Sequence, residues 1–217
     1  MKGLLIKDIK LMKGQKNFFF MIVVIGMVMI MFMEDPSFII GYMTSLGGTF
    51  AMSTISYDEF DNGNAFLFTL PITRKNYVKE KYEFGLLAGG GFWILATALV
   101  LAAGKIKDLM PVKDILMTAL LILPVLFLIL SVMIPFQLKF GGEKGRIAII
   151  GAAGLLFVIG IAVVRVAEIF HVDLISVFNN LPTMSMGMLI AVVLGISVII
   201  LLVSIRISIA IMNRKEF

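Results

Sequence analysis

The sequence predicts an all-α integral membrane protein: six transmembrane helices preceded by an N-terminal amphipathic helix in the membrane interface. Three observations predict it. The 217 residues are 60% hydrophobic and 15% charged, with a mean hydropathy of +1.04, outside the mixture of a soluble domain. Apolar stretches near 17–33, 37–57, 84–104, 112–137, 147–164 and 186–211 are each about long enough to span, since crossing the hydrocarbon core takes roughly 20 apolar residues. Lys and Arg are divided very unequally between the two sets of connections. A single membrane domain over 1–217 leaves no room for a sizeable soluble one.

Within residues 1–16, Met1, Leu5, Ile9 and Met12 share one helical face while Lys2, Lys7, Lys10 and Lys13 lie toward another. That pattern suits a helix lying in the inner interface, the alternative being a frayed basic tail that sets orientation. The basic start followed by the apolar run 18–33 superficially resembles a secretory signal but lacks the small-residue cleavage pattern, so it is expected to be retained. Glu34-Asp35 makes a minimal acidic outer loop, and Pro36 is suited to open the second span.

In the second span Gly41, Ser45, Thr49 and Ser53 recur every fourth residue, as do Gly187, Ala191 and Gly195 in the last. Such faces let helices approach closely, or their hydroxyls line a pathway. Gly89-Gly90-Gly91 in the third span and Pro124 and Pro135 in the fourth are expected to weaken or bend their helices. Gly141-Gly142-Glu143-Lys144-Gly145 reads as an inner turn. Segment 165–182 is apolar but interrupted by Glu168, His171 and Asp173, an amphipathic element at the outer surface in which Arg165 and Glu168 can pair. Arg206 lies about two turns before the C-terminal charges and can snorkel to the inner face.

One side collects Lys2, Lys7, Lys10, Lys13 and Lys16, then Arg74, Lys75, Lys79 and Lys81, then Lys139, Lys144 and Arg146, and finally Arg214 and Lys215. The other holds Lys105, Lys107, Lys113 and Arg165. The positive-inside rule therefore places both termini and the 58–82 loop in the cytoplasm. The net charge of +5 is read as this topology signal, with no nucleic acid implied.

The inventory excludes much chemistry. There is no cysteine and one histidine, His171, so disulfides, thiol nucleophiles and Cys/His metal sites are out. No GxxxxGK[ST] sequence is present to cradle a nucleotide's phosphates, and no HExxH to hold zinc. The spans offer almost no ionisable residues, which proton relays and intramembrane catalysis require. The chain is expected not to be an enzyme and to hold no cofactor; any uphill transport must draw energy from another subunit.

The 58–82 loop is too apolar for a solvated connector: Phe60, Phe66, Phe68, Leu70, Ile72, Tyr77 and Val78 call for membrane or protein to cover them. Thr73 can cap a short helix begun by Arg74, with Leu70-Pro71-Ile72 as a stiff apolar lead into it. Such a helix fits a groove in a partner ATPase and turns its motion into a tilt of the attached spans; the alternative is a loop that only packs on the bilayer.

The order Tyr57-Asp58-Glu59, then Phe66-Leu67-Phe68-Thr69-Leu70-Pro71-Ile72-Thr73-Arg74, then Tyr77-Val78 and Lys81, resembles the first cytoplasmic loop of ABC type-2 transporter permeases. The opening Met1-Lys2-Gly3-Leu4-Leu5-Ile6-Lys7-Asp8 is similar to the start of that family. The motifs cover about the first 85 residues, and the six-span layout extends the likeness over the chain. The resemblance implies the ABC type-2 exporter architecture: a permease in the bacterial cytoplasmic membrane, paired with a second permease of the same chain or a paralogue. It also implies an ATP-binding cassette ATPase that binds ATP and Mg and engages Tyr57, Asp58, Glu59, Phe66, Leu70, Pro71, Ile72, Thr73, Arg74, Tyr77 and Lys81. Small bacterial members export antimicrobial peptides or phenol-soluble modulins, which makes an amphipathic peptide the expected cargo, in contact with membrane lipid. The 16 methionines suit either an adaptable peptide surface or ordinary apolar filling. The alternative function is a non-transporting immunity or scaffold protein of the membrane.

Overall fold

The computed structural model describes residues 2–32, 35–60, 63–107, 111–142 and 185–216, together with 150, 161 and 165. Seven helices lie in the long described stretches: α1 Lys2–Gly14, α2 Lys16–Phe32, α3 Pro36–Glu59, α4 Gly63–Leu67, α5 Arg74–Lys107, α6 Val112–Phe140 and α7 Met186–Arg214. The expected fifth span at 147–164 and the outer element at 165–182 fall on residues outside this description, Ile150, Ile161 and Arg165 excepted.

Four of these helices are long and apolar enough to cross a membrane, at Ser37–Glu59, Arg74–Lys105, Val112–Phe140 and Met186–Arg214. The first expected span is α2, whose 17 residues reach only about 25 Å. It meets α1 at a bend of 66°, and counting that bent pair as one span gives five at most among the described residues.

Local chemistry fixes where the helices begin and end. Asp35 caps α3, its carboxylate accepting from the Ser37 amide at 2.8 Å, and Pro36 occupies the first turn where no amide donor is needed. Ser185 caps α7 through the Met188 amide. Gly141 ends α6 at φ +79°, a left-handed backbone that a side chain would strain. Pro124, Pro135 and Gly89-Gly90-Gly91 do not interrupt their helices: α6 and α5 run through them unbroken.

Helix α3 packs against α5 and α6, and α7 lies along α6 and α5. Toward the end where both termini and the α3–α5 connection meet, the core is built from Ile55, Tyr77, Val78, Tyr82, Leu130, Ile134, Leu138, Leu201 and Met212. Toward the other end it is built from Ile22, Ile39, Ile40, Met43, Ala96, Val100, Ile115 and Ala119. Between them α3 and α5 touch at Gly48 and Gly89: a Cβ on Gly89 would lie 3.1 Å from the Gly48 Cα and 2.5 Å from Leu126 Cδ1. Outward faces carry Leu87, Ile94, Ile199, Leu202 and Val203, apolar side chains for which lipid is the natural solvent.

The apolar stripe of α1 does not face lipid alone. Leu4 is buried, and Leu5, Ile9 and Met12 pack against the cluster of Phe50, Ala51, Phe84 and Ala88 on α3 and α5.

Candidate functional site

The connection from α3 to α5 is built in three steps. The Phe60 amide donates to Ser56 O to end α3, and the short α4 follows. Its chain then turns tightly, with the amides of Phe68 and Leu70 bonded to the carbonyls of Asn64 and Leu67 and the Thr69 hydroxyl to Phe66 O at 2.7 Å. Pro71, which has no amide donor, sits in the bend before Thr73, at the centre of a tight turn in which the Ile72 amide donates to Leu70 O at 2.6 Å. Thr73 caps the next helix as expected, its Oγ1 accepting from the Asn76 amide at 3.2 Å. That helix is not short: Arg74 opens the 34-residue α5, roughly 51 Å of unbroken helix. The loop is therefore attached directly to the end of a span.

The residues singled out from the sequence divide into two layers. Tyr57, Phe66, Leu70, Pro71 and Thr73 are exposed, Phe66 at 72% and Leu70 at 43%, while Ile72 and Arg74 are half-buried. Asp58, Tyr77 and Lys81 lie beneath them in the interior.

This lower layer is a charge cluster. Lys81, wholly inaccessible, places its ammonium 2.5 Å from Asp8 Oδ2, 2.7 Å from Asp58 Oδ2 and 3.1 Å from the Thr54 hydroxyl. Lys7 ion-pairs with Asp58 Oδ1 and lies 3.0 Å from Asp8 Oδ1. The Tyr77 hydroxyl donates to Asp58 Oδ2 at 3.2 Å. Two cations thus face two carboxylates contributed by α1, α3 and α5. Burial pushes the Asp8 carboxyl up, but the Lys81 and Lys7 ammonium groups outweigh it and hold the group below its ordinary value. Glu80 is also inaccessible; Lys81 lies 3.7 Å away, and neither of its oxygens has a hydrogen-bond partner among the described residues.

Three further contacts tie this end together. Arg74 Nη1 donates to the carbonyls of Met212 at 3.1 Å and Asn213 at 2.7 Å, placing a cation on the negative C-terminal end of α7. Lys215 pairs with Glu59 at 2.9 Å and donates to Leu138 O, clamping the tail to the ends of α3 and α6. The Tyr82 hydroxyl bonds Ser204 at 2.6 Å and Ser208 at 2.8 Å, and Ser204 Oγ donates to Ser131 O. Asp8, Lys7, Tyr82, Ser204 and Ser208 are not among the site residues expected from the sequence. The available signals were one acidic residue in the basic helix 2–14 and serines at 197, 204 and 208, spaced for one face of α7.

The small-residue faces behave differently from those serines. Gly41, Ser45, Thr49 and Ser53 are partly exposed, with the Thr49 hydroxyl bonded to Leu46 O, and Gly187, Ala191 and Gly195 are exposed. Among the described residues, no other part of the chain comes within 4 Å of where a Cβ on Gly41, Gly187 or Gly195 would stand. Among the described residues, no group of three or more His, Asp or Glu side chains could hold a metal. The arrangement joins the exposed connection to α1, α3, α5 and α7 through ion pairs and helix-end contacts.

A family model described as "ABC-2 family transporter protein" matches residues 3–213. No curated protein and no solved structure matches the chain.

Proposed function

This chain belongs to the ABC-2 family of transporter proteins, and from that premise we propose that it is the membrane-spanning permease of an exporter powered by a separate ATP-binding cassette ATPase. The ATPase docks on the exposed layer of the α3–α5 connection, around Phe66, Leu70 and Pro71. The observation that carries this reading is that exposed apolar layer seated on the buried cluster of Lys81, Asp8 and Asp58. A surface of that kind needs a partner, and a rigid attachment beneath it passes displacement to the spans instead of absorbing it.

In this reading both termini and the loop are cytoplasmic, α1 lies in the inner interface outside the spans, and the sixth span is the one the sequence predicts outside the described residues. Two permeases enclose the path, with the partly exposed Gly41 face and the exposed Gly187 face available to the second copy. The cargo is hydrophobic or amphipathic, an amphipathic peptide being the class the sequence resemblance favours.

The test is co-purification in detergent with candidate ATP-binding cassette subunits, followed by ATP hydrolysis in lipid with and without amphipathic peptides. A complex that is lost on Leu70→Asp supports the docking site, and hydrolysis raised by peptide supports the cargo. A folded chain that binds no such ATPase overturns the exporter reading in favour of a scaffold or immunity protein.

A further inference from the structure

The first turns of α5 and the last third of α7 enclose a cavity of about 470 Å³, lined by Lys75, Lys79, Leu202, Ile205, Arg206 and Ile209. The lining is mostly apolar, and among the described residues its charged side chains are all cationic. Lys75 and Lys79 are one turn apart on α5, and Arg206 faces them from an apolar run, 186–211, in which it is the sole charge. None of the three makes an ion pair or hydrogen bond to a described residue, in contrast to Lys7, Lys81 and Lys215 nearby in the same bundle end. All three are solvent-exposed, so their mutual repulsion is screened, and an anion seated among them gains from three cations at once.

The other wall is aliphatic. Leu202, Ile205 and Ile209 make a floor that runs along α7, a helix apolar enough to span, so the cavity opens at the boundary between hydrocarbon and headgroups. We infer that this cavity is a binding site for an anionic glycerophospholipid, its phosphate held by Lys75, Lys79 and Arg206 and its acyl chains laid along Leu202, Ile205 and Ile209. A soluble phosphate satisfies the cations but leaves the aliphatic floor in water; a zwitterionic lipid covers the floor but brings a cation toward Arg206. The bound lipid bridges α5 to α7 beside the Arg74 contact with Asn213. The inference needs α5 and α7 to cross the membrane and is independent of whether the chain transports anything.

The experiment is native mass spectrometry of the full chain released from detergent, titrated with phosphatidylglycerol and phosphatidylcholine of identical acyl chains. Each basic group at a membrane surface favours an anionic lipid by roughly fivefold, so the three together give a preference on the order of 100-fold. Retention of one phosphatidylglycerol per chain is expected, lost in the K75Q/K79Q/R206Q variant and kept in K105Q/K113Q, which removes exposed charge from the other end. Ile209→Trp fills the cavity with all three cations intact and is expected to displace the lipid as well. Equal retention of the two lipids by the unaltered chain, equal loss in both charge variants, undiminished retention in Ile209→Trp, or displacement by millimolar inorganic phosphate would each overturn the assignment.

Discussion

Lys81 Nζ lies 2.5 Å from Asp8 Oδ2 with neither side chain reached by solvent, so the first helix of the chain is pinned to α5 by a buried ion pair. Removing one partner strands the other without water, a loss of about 3–5 kcal/mol for a buried pair. Lys81→Met leaves Asp8 and Asp58 to share the single remaining cation, Lys7, and is expected to lower the thermal midpoint in detergent sharply. Asp8→Asn alone is expected to cost less, because Lys81 keeps Asp58. The double variant should fall well short of the sum of the two, since the second change removes a charge that the first had stranded. Strict additivity would mean that the two side chains do not act as a pair.

The same cluster gives stability a pH dependence of definite sign. The Asp8 carboxyl is held below its ordinary value when folded, so it contributes stability that is present above that ordinary value and lost as pH falls through the folded one. Thermal midpoints measured from pH 7 down to pH 3 should therefore decline at the acid end, and Asp8→Asn should flatten that decline. An acid limb of unchanged slope in the variant would assign the effect to other carboxylates.

How much of this could be read from the sequence follows from what each feature depends on. Spans α3, α5, α6 and α7 were legible because uninterrupted apolar length is a local property, and the Pro36 and Thr73 helix starts were legible because capping is decided within four residues. Asp58, Tyr77 and Lys81 were picked out by resemblance as parts of a loop surface, yet they are interior. Nothing local announces that Asp8, 73 positions before Lys81 along the chain, will neutralise it. The short-helix expectation at Arg74 failed because ten mixed residues and an apolar run read as two elements, whereas the backbone hydrogen bonds continue through both. The repeat of small residues at every fourth position named Gly41 and Gly187, but close contact occurs at Gly48 and Gly89, where a leucine from a third helix, Leu126, completes the fit.

Leu70 and Arg74 stand close in sequence but in different layers, and their substitutions should separate docking from transmission. Leu70 is exposed, so Leu70→Asp should leave the thermal midpoint nearly unchanged while abolishing ATPase co-purification. Arg74 holds the end of α7 through Met212 and Asn213, and Arg74→Glu puts an anion against those carbonyls. That variant should still insert and still bind the ATPase, but transport should be uncoupled from hydrolysis. Undiminished transport with either change would sink the coupling assignment.

Tyr82 joins α5 to α7 through Ser204 and Ser208, and Ser204 carries the connection on to Ser131 in α6. Tyr82→Phe keeps the ring and deletes only the hydroxyl. Two serines then lose a partner in the interior, a cost of about 1–3 kcal/mol. Because the lost bonds join helices, the change should also raise hydrogen exchange in the last turns of α7 while leaving α3 unchanged. A uniform rise across all helices would mean the hydroxyl contributes to global stability without linking these two.

The glycines of α5 allow a comparison between neighbours that share one helix. A methyl group on Gly89 meets the Gly48 backbone at 3.1 Å as well as the Leu126 side chain, and only the side chain can turn away. Gly90, the next residue, has no other part of the chain within 4 Å of the same point among the described residues. Gly89→Ala should therefore force α3 and α5 apart at a cost of about 1–3 kcal/mol, whereas Gly90→Ala should be neutral or slightly stabilising, because alanine is the better helix former. The pair separates a packing requirement from a need for a weak point in the helix. If flexibility at the triple glycine were what the fold or its movement required, both changes would impair transport equally with little effect on melting. If close approach is the requirement, Gly89→Ala alone lowers the thermal midpoint, and shortening Leu126 to alanine does not rescue it, since the Gly48 backbone remains in the way.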